Sequence, residues 1–106
     1  MLIRPATLAD CQNFYGKNPP MTLRALAAER DGEVVGIGGY YISDEIAHAF
    51  TDQKGMTRRE IAKAGRAMMK FLDAVKIPVV AQCGPDGDTA LKHYGFEPFD
   101  TFWRRA

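Results

Sequence analysis

The residues with most chemical promise cluster just ahead of a long helical pattern. Thr57 and Glu60 form a capping box, in which the threonine oxygen accepts a backbone N–H and the acid three residues on reaches back to the cap. Arg58 and Arg59 follow the cap directly. The helix dipole is positive there, so each cation costs about a few tenths of a kcal/mol unless an anion relieves it. N–H groups, Lys54, Gly55 and paired arginines at one helix start suit a phosphate, and Gly55, Thr57, Arg58 and Arg59 are the residues expected to meet it. Glu60 can supply part of that neutralisation itself. Farther along, Arg59, Lys63, Arg66 and Lys70 recur as a cationic stripe opposite the apolar face, a pattern that a solvated helix surface also produces.

Proton transfer needs a positioned acid or base. His48, in a strand pattern, is one candidate general base, with Glu45, Asp44 and Asp52 as others on the same hairpin and strand. A packed or surface histidine fits that position as well. Neither His48 nor His93 has a second ligand at metal-binding spacing, so no metal is expected. Cys11 and Cys83 form no CxxC motif, no cation adjoins Cys83 to activate its thiol, and both read as reduced thiols. Gly36, Gly38 and Gly39 lie inside a strand pattern with no helix after it. That excludes a dinucleotide-binding loop and points to a bulge or to close approach by another backbone or a ligand.

The elements that must position these groups fit into one domain, residues 1–106, and a chain of this length with 46% hydrophobic and 25% charged residues can bury a modest core. A net charge of +1 gives no global field for nucleic acid or an anionic membrane, and Tyr40, Tyr41 and Trp103 do not flank the cations, so neither partner is expected. No apolar run approaches a membrane span and the amino end has no leader-like stretch; the expected location is the cytoplasm. Leu2 to Arg4 reads as a strand, Thr7 and Asp10 open a short helix, and Asn18-Pro19-Pro20 breaks it. Leu23 to Glu29 and Glu33 to Ile42 are strands joined by an Asp31-Gly32 hairpin turn, and Ser43-Asp44 turns the chain into a third, Glu45 to Thr51. Ile61, Ala64, Met68, Leu72 and Val75 mark a helix of about five turns. Ile77 to Gln82 is a strand, Gly84 to Gly87 a loop, Asp88 caps a short helix through Tyr94, and Phe96 to Trp103 is a last strand interrupted at Pro98. The result is an α+β (α/β) fold: a mixed sheet of about six strands, with an antiparallel meander and a parallel crossover through the long helix.

Taken in order, these elements resemble the GCN5-related N-acetyltransferase (GNAT) superfamily over nearly the whole chain. Ile3-Arg4-Pro5-Ala6-Thr7 with Asp10 resembles its opening strand and helix, and Asp31-Gly32-Glu33-Val34-Val35-Gly36 its central hairpin. Ala90-Leu91-Lys92-His93-Tyr94-Gly95-Phe96-Glu97-Pro98 resembles its closing helix and strand. The stretch from Gly16 to Leu23 is short where typical members carry a second helix. The resemblance implies acyl transfer from acetyl-CoA to the amine of a small molecule or protein. It implies that main-chain groups of Phe50, Thr51 and Asp52 pair with the pantetheine arm, that the long helix's start holds the pyrophosphate, and that an acid, for which Tyr94 is the candidate, protonates the leaving thiolate.

Two places depart from the family pattern. The family's pyrophosphate loop reads Gln or Arg, two residues, Gly, one residue, Gly or Ala. Arg59-Glu60-Ile61-Ala62-Lys63-Ala64 matches it with alanine at the first glycine, and a second register ending at Gly65 puts Glu60 in the lead. The usual tyrosine, four residues before the Gly-Phe pair, is Leu91 here. These departures keep an alternative open: a non-catalytic GNAT-like interaction protein, similar in style to those of phages and prophages. A homodimer through the last strand, with its Phe99, Phe102 and Trp103, is also open.

Overall fold

The computed structural model describes residues 1–81, 88–99 and 102–105. Along the chain run β1 (Leu2–Pro5), α1 (Leu8–Tyr15), β2 (Arg24–Arg30), β3 (Glu33–Ser43), β4 (Ile46–Gln53) and α2 (Arg58–Leu72). They are followed by β5 (Val79–Ala81), α3 (Asp88–His93), β6 (Phe96–Phe99) and β7 (Phe102–Arg105). The strands form one sheet in the order β1-β2-β3-β4-β5-β7-β6, antiparallel except for the β4–β5 pair. The expected meander and parallel crossover are both present.

Turn chemistry explains the meander. Asp31 and Gly32 take φ of 54° and 79°, as a two-residue hairpin turn requires, and Asp44 and Glu45 do the same at 53° and 63°. The second pair places the turn one residue later than expected, so Glu45 stands at the hairpin tip and β4 starts at Ile46. At Gly39, β2 and β3 come so close that a Cβ would overlap the Arg24 carbonyl, which accounts for that glycine without any ligand.

Side chains alternate along β4 and so feed two cores. Ala47 joins Met68, Leu72, Val79, Ala81 and Phe96 on the face covered by α2, while Phe50 packs with Cys11, Phe14 and Ile37 on the face covered by α1. Leu91 and Tyr94 pack on the α2 side.

Two expectations need correction. α2 spans 15 residues, about four turns at 3.6 residues each, because beyond it the chain tightens: Ala74 and Val75 donate to the Phe71 and Leu72 carbonyls, three residues back. Val75 still packs on the core, so the apolar period outlasts the helix. β5 begins at Val79 rather than Ile77, since Pro78 has no N–H to place in a ladder, although its carbonyl accepts from Ala47. The described strands number seven, in keeping with the expected sheet of about six, the added one arising because Phe96 to Trp103 is two antiparallel strands. Pro98 pairs with Trp103 without ending β6, which lies at the sheet edge, where a missing N–H is tolerated. Gln82, Cys83 and the 84–87 loop lie outside the described residues, as do the side chains of Asp88, Phe99, Phe102 and Trp103. Among the described residues, no helix is long and apolar enough to cross a membrane.

Candidate functional site

The site lies along β4. β4 pairs with β3 along its length, from Ser43↔Ile46 to Gly36↔Gln53, and, among the described residues, with β5 at Ala47, His48 and Ala49. Phe50, Thr51 and Asp52 continue β4 past that parallel pairing. A cavity of about 980 Å³ opens there and runs beneath α2, with Phe50, Thr51, Asp52, Arg58, His93 and Tyr94 among the residues that line it. This is at the upper end of the ~300–1,000 Å³ typical of small-molecule sites.

The start of α2 borders the cavity. Thr57 caps it as expected: its hydroxyl accepts from Glu60 N–H (3.2 Å) and Glu60 Oε1 accepts from Thr57 N–H (2.9 Å). Arg30, from the end of β2, donates to the same Glu60 oxygen at 2.6 Å and to the Gly55 carbonyl at 3.4 Å. The Thr57 N–H first, and Arg30 after it, hold the Glu60 carboxyl below its usual range. Gln53 Oε1 accepts from Met56 N–H (3.0 Å), so the loop's own side chains take two of its backbone donors. The Arg58 and Arg59 N–H groups occupy the first helical turn, where no i−4 carbonyl exists for them. Gly55 has φ of 70°, which relieves the sharp loop ahead of the cap.

The two arginines differ in direction. Arg58, Ala62, Gly65 and Met69, spaced by four and three, share one flank of α2, and all line the cavity. Both arginines are exposed, and Arg59 is not part of the lining. Lys54 turns to the other face of the sheet, where its ammonium donates to the Phe14 carbonyl and lies 4.3 Å from the Phe14 ring centroid. It ties β4 to the carboxyl end of α1 and does not join the helix start.

The proton-transfer candidates are dispersed. Tyr94 lines the cavity and packs on α2 so tightly that a Cβ on Gly65 would overlap its hydroxyl and ring. Gly65 is thereby assigned to helix packing. His48 points to the α1 face and stacks on its cross-strand partner Tyr41, with centroids 4.9 Å apart and planes 6° from parallel. Glu45 is exposed at the hairpin tip, and neither it nor His48 lines the cavity. Asp52 accepts from the Tyr15 hydroxyl at 2.6 Å; burial first, and then this carboxylate, push the Tyr15 phenol's ionisation up. Sequence reasoning missed Arg30 and His93 as site residues. Arg30 gives no local signal, being thirty positions from Glu60. His93 was legible as the neighbour of Tyr94.

A second hollow of about 450 Å³ lies under the segment after α1, lined by Thr7, Leu8, Cys11, Pro19, Met21 and Leu23 among others. Burial pushes the Cys11 thiol up, which disfavours a thiolate there.

No protein-family model and no curated protein matches the sequence. Solved structures match the fold. An acyl-CoA N-acyltransferase from Pseudomonas aeruginosa aligns over 100% of both chains with a TM-score of 0.67 and 14% identity. A ribosomal-protein-alanine N-acetyltransferase from Brucella melitensis aligns over 92% of this chain and 85% of its own, with a TM-score of 0.59 and 19% identity. A GNAT-family acetyltransferase from Bordetella pertussis aligns over 93% of this chain and 71% of its own, with a TM-score of 0.58 and 17% identity. The chain has the GNAT fold.

Proposed function

We propose that this chain is an N-acyltransferase that takes an acyl group from a coenzyme A thioester, acetyl-CoA being the simplest, and passes it to the amine of a small molecule or protein. The observation that carries this is the cavity that Phe50, Thr51 and Asp52 of β4 line on one side and a flank of α2 with Arg58 lines on the other. Main-chain groups of Phe50, Thr51 and Asp52 would hold the pantetheine arm as a further strand would. Arg58 and the first-turn N–H groups of α2 would meet the diphosphate, with Gly55 and Thr57 shaping the loop and Arg59 adding long-range attraction. The bound thioester supplies the activated acyl group. As the amine nitrogen bonds to the acyl carbon, the carbon–sulfur bond breaks; the amine's proton passes to solvent in the open cavity, and the departing sulfur takes one from the Tyr94 hydroxyl, which regains it from solvent. His48 and Glu45 lie outside the cavity lining, so as general bases they would need a relay to reach it.

Isothermal titration with acetyl-CoA tests the reading. Binding is expected, weakened about tenfold by Arg58→Ala, the usual loss for a charge-assisted contact. No heat at millimolar ligand would sink it. A second reading, a non-catalytic GNAT-fold interaction protein, is favoured by the helix start itself: Glu60 and Arg30 already neutralise each other there, and Gln53 and Glu60 already hold the Met56 and Thr57 N–H groups. The same titration separates the two.

A further inference from the structure

The two halves of α2 are buried very differently. On its apolar stripe Met68 and Leu72 are 6% and 1% exposed, whereas Ile61 is 45% exposed. Opposite the first half, the floor of the large cavity is Leu26 and Ala28 of β2 with their cross-strand partners Gly38 and Gly36 of β3. Two glycines and an alanine leave room where core side chains would otherwise interlock. Two methionines reach over that floor beside Thr51: a Cβ on Gly36 would lie 2.7 Å from Met56 Sδ, and one on Gly38 would lie 3.2 Å from Thr51 Cγ2 and 3.3 Å from Met68 Sδ. Methionine yields to a guest more readily than branched or aromatic residues do. Ile3 of β1 closes the far side.

The floor residues carry no charge. Of the acidic and basic residues lining the cavity, Asp52 is held on the α1 face by Tyr15, Arg58 lies on the α2 flank that meets Tyr94, and His93 precedes Tyr94 at the end of α3. Thr51 and Gln53 border the floor at its β4 side, Gln53 with its oxygen already taken by Met56 N–H, so over Leu26 and Ala28 an apolar guest is favoured.

We propose that the space between the first half of α2 and strands β1–β3 takes an unbranched aliphatic acyl chain, so that the preferred donor carries a medium-length fatty acyl group rather than acetyl. This rests on the acyl-CoA reading, because the space is continuous with the cavity mouth at Phe50 to Asp52. From β4 to β2 is two strand spacings, about 10 Å in all. That is the reach of about eight carbons.

The experiment compares acetyl-CoA, octanoyl-CoA and free octanoate by titration and thermal shift, on the wild type and on Leu26→Phe, which fills the far end of the floor. Ile61→Phe, at a half-exposed position, serves as the second filling variant should Leu26→Phe fold poorly. The expected result is octanoyl-CoA binding about tenfold or more tighter than acetyl-CoA. The filling variants should abolish that preference and leave acetyl-CoA affinity unchanged. If acetyl-CoA binds and octanoyl-CoA binds no tighter, the acyl-chain site is overturned and the acyl-CoA reading stands. If neither ester binds but octanoate raises the melting temperature in the wild type and not in the variants, the chain site stands and the coenzyme A reading falls. If none of the three binds, both fall.

Discussion

The two helix starts use one local device and differ in charge balance. Both α1 and α2 open with a threonine and an acid three residues on that bond each other reciprocally. At α1 the acid, Asp10, is gripped by two nitrogens of Arg4 at 2.7 and 3.1 Å, and Arg4 also reaches Glu29 at 3.2 Å. One guanidinium thus serves two carboxylates. At α2 the acid, Glu60, is bonded by Arg30, while Arg58 and Arg59 follow the cap with no bonded carboxylate between them among the described ion pairs. Glu29 and Arg30 are neighbours at the end of β2, and each serves the helix on one face of the sheet. The contrast teaches that a capping box alone does not mark an anion site. What matters is the charge left over once the box is made.

The comparison breaks most visibly at α1. Asp10→Ala removes the box and leaves Arg4 with Glu29 alone, and is expected to cost about 2 kcal/mol of stability by urea unfolding, with acyl-CoA binding unchanged. Arg58→Ala should do the reverse, weakening acyl-CoA binding about tenfold while stability stays within about 0.5 kcal/mol. Glu60→Gln sharpens the contrast: it removes the internal anion, so it should lower the melting temperature less than Asp10→Ala does and tighten binding of the thioester by about threefold. A weakened affinity would mean that Glu60 is needed to shape the loop rather than competing with the ligand. The smallest effect is expected from Arg59→Ala, below about twofold on affinity, because its side chain does not line the cavity.

Acid should separate the two starts as well. Arg4 first, then the Thr7 N–H, holds the Asp10 carboxyl well below its usual range, and Glu60 is lowered by the Thr57 N–H and Arg30. Folded values below the unfolded ones mean that this stability is fully present above about pH 4 and is lost as the pH falls further. Unfolding at pH 7 and pH 3 should show a smaller acid loss in Asp10→Ala than in the wild type. An equal loss would show that other carboxylates govern acid stability.

What could be read from the sequence was local. Thr7 with Asp10, Thr57 with Glu60, and Asp31 with Gly32 each specify a cap or turn within four residues, and each stands where it was expected. The order of elements gave away the GNAT fold for the same reason. Register and long-range pairing could not be read. Nothing near Pro98 shows that it lies in an edge strand instead of ending a central one, and nothing near Glu60 names Arg30 as its partner. The sequence allows a phosphate register ending at Gly65, but Tyr94, twenty-nine positions on, takes that space. Lys54 looked like part of a cationic cluster, but strand alternation sent it to the opposite face.

That notch at position 65 gives a means of adjusting the molecule mechanically. The Tyr94 ring rests against bare backbone, so adding even one carbon there displaces the ring from α2. Gly65→Ala and Gly65→Ser would then act as graded spacers, changing the width of the mouth while every ionic group keeps its partners.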